Sequence, residues 1–169
     1  MIINIVLILF LFFAFYFDVK YKQIPNKLNV LGVSIGFILF IITDGLSGFG
    51  SALLGMLVVF LIMLLLYAFK GVGAGDVKLF AAIGAITGIE MSLYILFYAV
   101  IFAGIIGVFI LLFNSRLLKQ VIDTFKHWFF SILLRKSKDI NTDKQTMVRF
   151  PFMYAVLPAA IYVVYLYHQ

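Results

Sequence analysis

The sequence predicts an all-α, polytopic integral membrane protein with about six transmembrane helices and one interfacial amphipathic helix on the cytoplasmic side. Composition, hydropathy and spacing each point there. Of 169 residues, 65% are hydrophobic and 12% charged. The mean hydropathy is +1.18. Apolar runs recur along most of the chain, parted by short polar turns. A soluble domain of this size could not hide so much apolar surface. The helices use up the whole length, so one membrane-embedded domain over 1–169 is expected.

The first apolar run, 2–17, has no basic region before it and no small-x-small pattern after it. It reads as a retained helix rather than a cleaved signal. The stretch 18–27 is polar and basic, and Pro25 breaks it. Asn26 is expected to cap the second helix, 28–42, or else to hold the first loop near the site. The polar stretch 43–50 (TDGLSGFG) reads as a turn, and 51–69 as the third helix. A glycine-rich turn, 70–76, leads into a short fourth helix, 77–88. The fifth helix is 91–113 and the sixth 150–167. A spanning helix needs about 20 residues. The second and fourth fall short, so their flanking turns are expected to enter the membrane. For the fourth helix this draws 73–76 inward, which is tolerated where protein or water surrounds the backbone.

Between the fifth and sixth helices the pattern changes. Leu118, Val121, Ile122, Phe125, Trp128 and Phe129 recur at helical spacing, with Arg116, Lys119, Asp123 and Lys126 mostly opposite. This predicts the amphipathic helix on the membrane surface. The stretch 136–149 reads as a polar loop.

Charge sets the orientation. The net charge is +6, with 13 Lys and Arg against 7 Asp and Glu. With six spans every Lys and Arg falls on one side, while the other side carries Asp44 and Glu90. The basic side is expected to be cytoplasmic, with both termini outside. The same rule accounts for the positive charge without nucleic acid. There are no cysteines, and only His127 and His168 offer imidazole. Disulfides, thiolate metal sites and cysteine nucleophiles are excluded, and neither a metal site nor a cofactor is expected.

Two acids remain to be explained. Asp18 ends the first helix and Asp76 opens the fourth, both on the basic side. Carboxylates at the membrane edge are costly and so point to function. A carboxylate pair can hydrolyse a peptide when one member is ionised and the other protonated. The ionised one takes a proton from water, and the protonated one hydrogen-bonds the scissile carbonyl. Two close carboxyls cannot both ionise easily, which favours that mixed state. Gly73 and Gly75 allow positive φ and close approach of a substrate strand. The plainer reading is that Asp76 only caps its helix. A rival functional reading is a small transporter or channel, with the acids binding a cation or relaying protons. That reading predicts paired repeats and acids near the midplane, and neither is seen.

Asp18 followed by Ile24-Pro25-Asn26, and then Gly73-Ala74-Gly75-Asp76-Val77-Lys78 between apolar helices, resembles the type IV prepilin peptidases. These are membrane aspartyl proteases of the GxGD class. The resemblance implies a catalytic pair of Asp18 and Asp76. Gly73, Ala74, Gly75, Lys78, Pro25 and Asn26 would shape the site or bind substrate. It implies removal of the short basic leader of a prepilin or pseudopilin at the cytoplasmic face of a bacterial cell membrane. The protein substrate and the lipid bilayer would be the partners. Larger members carry an extra cytoplasmic domain, often with paired cysteines, and also N-methylate the product. This chain has no cysteine and a short first loop, so it is similar to the compact peptidase-only members that serve Flp/Tad-type pili. Methyltransferase activity is not expected.

Overall fold

The computed structural model describes residues 2–69, 71–113 and 152–167. The predicted amphipathic helix and the loop after it, 116–149, lie outside the described residues. Four helices form the described chain: α1 (Ile2–Tyr21), α2 (Asn26–Ala68), α3 (Ala74–Phe113) and α4 (Met153–Leu166). The chain divides into two compact units, Met1–Ala103 with Pro151–Gln169, and Gly104–Phe150. The described part of the second unit is the last stretch of α3, where Phe109 and Phe113 stack.

Glycine breaks α2 and α3. Gly45 (φ 65°) and Gly88 (φ 73°) have non-helical, positive-φ backbone inside these long helices. That conformation is open to glycine at little steric cost. Both breaks reverse the chain. Eight residues of straight helix span about 12 Å. Yet a Cβ built on Gly48 would collide with the carbonyl oxygen of Phe40. The rings of Phe37 and Phe49 likewise meet at 5.1 Å. Across the second break, Phe80 lies 6.0 Å from Phe152, at the start of α4. Tyr94 meets Tyr167 at 6.1 Å, and Tyr98 meets Tyr162 at 4.9 Å. The first arm of α3 therefore runs parallel to α4, and the second arm runs back against it.

The predicted breaks thus fall at the right places but are much tighter than expected. The stretch 43–50, read as a turn, is helical except at Gly45. Ser47 and Ser51 support this by hydrogen-bonding the carbonyls of Asp44 and Ser47, at 2.7 and 3.2 Å. Likewise 89–90 is helical and only Gly88 departs. Among the described residues, three helices are long and apolar enough to cross a membrane: α1, α2 and α3 over Ala74–Ile110. The fourth is apolar but shorter.

The first arm of α3 is the centre of the first unit. Leu79, Phe80 and every residue from Ala82 to Gly88 are buried. A helix apolar on all sides has no face for solvent and packs all round. Its neighbours approach through glycine. Gly36 of α2 lies against the backbone of Ala85 and Ile86, and Gly55 lies against Gly84 and Gly88. Small residues let backbones come this close, as at other membrane helix interfaces. Leu7, Phe10, Leu11 and Ala14 of α1 join Met153, Val156, Ala159, Ala160 and Val163 of α4 in the same core.

Candidate active site

Helix directions bring the singled-out residues to one end. The ring of Phe10 fills the space beside Gly32, so α1 and the first arm of α2 run antiparallel about the turn at 22–25. Asn26 meets Lys78, and Gly36 meets Ala85, so the first arms of α2 and α3 run parallel. Phe15 packs edge-on to Tyr154 at 5.3 Å, close to the start of α4. Asp18, Pro25, Asn26, Gly73, Asp76 and Lys78 therefore share one end of the first unit. Asp44 and Glu90 lie at the other, where Glu90, Tyr94 and Tyr167 line one pocket.

Asp76 is fixed by the start of its own helix. The chain leaves the 71–73 turn and enters α3 at Ala74. The backbone N–H groups of Asp76 and Val77 donate to the carbonyl of Gly73, at 3.1 and 3.3 Å. The carboxylate reaches back, and its Oδ2 accepts from the Gly73 N–H at 3.1 Å. This is half of a capping box, and the helix dipole favours the negative charge there. One carboxylate oxygen is committed to the backbone, which leaves the other for chemistry. A cap and a site residue are therefore compatible roles for the same side chain.

Asp18 is held differently. It lies in the last turn of α1, and its backbone carbonyl accepts from the Lys22 N–H at 2.8 Å. Lys22 takes the left-handed conformation (φ 53°) that ends the helix. The side chain is half-buried, and its Oδ2 is closed off without a hydrogen-bond partner among the described residues. The charge of Asp18 acts on Asp76, so the two carboxyls are electrostatic neighbours. Neither carboxylate is neutralised by an ion pair among the described residues. Lys20 turns away to the Tyr16 hydroxyl at 3.0 Å and lies over the rings of Tyr16 and Tyr21. Lys78 donates to Asn26 Oδ1 at 2.9 Å.

Two sequence expectations need correction. Pro25, not Asn26, is the N-cap of α2, and no side chain caps that helix. Asn26 is already the first helical residue, so its carboxamide is free to tie α2 to α3 through Lys78. This is the looser of the two roles expected for it. Gly73 and Gly75 do not use positive φ, which is confined among the glycines to Gly45 and Gly88. What glycine supplies here is room. A Cβ on Gly73 would lie 3.2 Å from Asp76 Oδ2, while the space beside Gly75 is open. Ala74 simply starts the helix and is exposed.

Sequence reasoning missed Asn29. It is 5% exposed, and neither Oδ1 nor Nδ2 has a hydrogen-bond partner among the described residues. The signal was available: a carboxamide inside the otherwise apolar run LNVLGV. Phe12, Phe15, Tyr16, Val19 and Lys20 line an apolar groove along α1. No group of three or more His, Cys, Asp or Glu side chains able to hold a metal occurs among the described residues.

A family model described as the type IV leader peptidase family matches residues 5–108. That span is more than half of the chain and contains both aspartates, Pro25-Asn26 and the GAGDVK stretch. No curated protein and no solved structure matches the chain.

Proposed function

Because the chain belongs to the type IV leader peptidase family, we propose that it is a membrane aspartyl endopeptidase of the GxGD type. It removes the short basic leader of prepilins or pseudopilins at the cytoplasmic face of a bacterial cell membrane. One observation carries this reading beyond the family: Asp18 and Asp76 come from different helices, lie at the same end of the first unit, and neither is ion-paired to a lysine among the described residues.

Asp76 is the better fixed of the two, through the Gly73 N–H. Asp18 has an oxygen closed from solvent and unpartnered among the described residues. In the working state the pair shares one proton. The ionised member takes a proton from water, and the protonated member donates to the scissile carbonyl. The apparent titration constants belong to the pair. The open space beside Gly75 admits an extended substrate segment. The groove along α1 suits the apolar stem of a pilin.

The reversals at Gly45 and Gly88 support six passes, made of α1, two arms each of α2 and α3, and α4. Lys20, Lys22, Lys27 and Lys78 then lie with the aspartates on the cytoplasmic side. The first arm of α3, 74–87, is about 21 Å long at 1.5 Å per residue, against a hydrocarbon core of about 30 Å. A short arm draws Asp76 toward the membrane interior, where water is scarce.

The test is leader cleavage of a co-expressed prepilin by wild type, Asp18→Asn and Asp76→Asn at equal membrane levels. Cleavage by wild type and loss in both variants is expected. Full cleavage by either variant overturns the two-aspartate mechanism.

A further inference from the structure

Asn29 is the one described side chain that is both nine-tenths buried and wholly unpartnered in its polar atoms. A buried carboxamide without partners is destabilising, and buried polar groups are nearly always satisfied by protein or ordered water. Its place in the fold gives it a task. Along α2 it follows Asn26 by three residues and precedes Gly32 and Gly36, which face Phe10 and Ala85. It therefore lies on the stripe of α2 that packs against α1 and α3. From the pairings of Phe10 with Gly32 and of Asn26 with Lys78, it lies about five residues, roughly 7.5 Å, deeper than Asp18 and Asp76. Among the described residues the other unpartnered buried side-chain atom is Asp18 Oδ2.

We propose that Asn29 forms the floor of the aspartate pair. Its carboxamide holds a water molecule that hydrogen-bonds Asp18 and so orients that carboxyl for water activation. It is a positioning residue, and this inference rests on the aspartyl peptidase reading above. A carboxamide suits the task because it offers both a donor and an acceptor and carries no charge. The ionisable groups at this end among the described residues are Tyr16, Asp18, Lys20 and Tyr21 of α1, Lys22 of the turn after it, Lys27 and Tyr67 of α2, Asp76 and Lys78 of α3, and Tyr154 of α4. Among the described residues no hydrogen bond joins any of them to Asn29 directly.

The test compares wild type, Asn29→Leu and Asn29→Ser as full-length protein in lipid nanodiscs. The first readout needs no substrate: the infrared carboxyl bands of the pair, assigned by their loss in Asp18→Asn, are followed through a pH titration. Asn29→Leu is expected to shift the Asp18 band and its titration midpoint, while the thermal midpoint of unfolding stays level or rises. The second readout is leader cleavage across pH. Asn29→Leu is expected to lower kcat at least tenfold with little change in KM, and Asn29→Ser to recover part of the loss. Unshifted Asp18 bands in Asn29→Leu overturn the inference. Cleavage by Asn29→Leu at the wild-type rate and pH profile overturns it as well. Failure of wild type to cleave any prepilin overturns the peptidase reading, and the infrared bands still decide the water-bridge geometry.

Discussion

Adding one methyl group at Gly36 and at Gly50 is expected to change stability in opposite directions. Both positions are helical, and neither has positive φ. Replacing a helical glycine by alanine favours the helix by about 0.5–1 kcal/mol. At Gly50 nothing lies within 4 Å of the new methyl, so that gain stands alone. At Gly36 the methyl would sit 2.5 Å from the carbonyl carbon and oxygen of Ala85 and 2.7 Å from the nitrogen of Ile86. Ordinary contact begins near 3.4 Å, so α2 and α3 must part by about 0.9 Å. Backbone atoms cannot rotate aside as a side chain does. Overpacking of this kind costs roughly 1–3 kcal/mol, which outweighs the helix gain. The net loss is about 1–2 kcal/mol, or roughly 2–8 °C in the unfolding midpoint at this size. The assay is thermal unfolding in one detergent, followed by circular dichroism. Cleavage adds a second measure, because the same contact sets the register of Asn26 against Lys78. A 1 Å displacement can cost about a hundredfold in rate, so a loss near tenfold is expected for Gly36→Ala. An unfolding midpoint for Gly36→Ala at or above wild type would refute the close-packing argument.

Further outcomes follow from the site. Asp76→Asn should lower cleavage at least a hundredfold yet move the unfolding midpoint little, because its amide oxygen can still accept from the Gly73 N–H; a large loss of stability would show that the charge itself holds the helix start. Lys78→Met and Asn26→Ala should each slow cleavage severalfold, and the double variant no further, since both break the same exposed bond; additive losses would place the residues in separate roles. Lys22→Gly should stabilise the fold by up to about 1 kcal/mol, read by the same thermal assay, by relieving a left-handed non-glycine residue. Cleavage against pH should be bell-shaped, with both limbs set by the coupled pair; a single rising limb would mean that the protonated carboxyl is dispensable.

Much of the architecture was legible because bilayer-length apolar runs leave few alternatives. Charge placement alone assigned Asp18 and Asp76 to one side, and the helix pairings bring them together at one end. The chain reversals were legible as polar stretches, but not their tightness. One residue of positive φ is enough to turn each helix, so Thr43, Asp44 and Ile89 keep helical conformations that their sequence does not announce. The contact between Asn26 and Lys78 was hidden because it joins residues 52 apart; local reasoning offered a cap or a loop held near the site, but not the partner. The glycines of Gly32-x3-Gly36 and Gly84-x3-Gly88 carried a helix-packing signal that the GAGD glycines overshadowed. Asn29 had no motif to mark it. Its meaning comes from which helices surround it.

The helix that carries Asp76 has no outward side from Ala82 to Gly88. Lipid therefore cannot touch that stretch, and a thicker or thinner bilayer acts on it only by tilting its neighbours. Those neighbours grip it through backbone at Gly36 and Gly55, where no side chain is present to yield. Any tilt of α2 is passed to the end that carries Asp18 and Asp76 as a rigid displacement. On the proposed peptidase reading, acyl-chain length in the host membrane is thus a mechanical input to the rate.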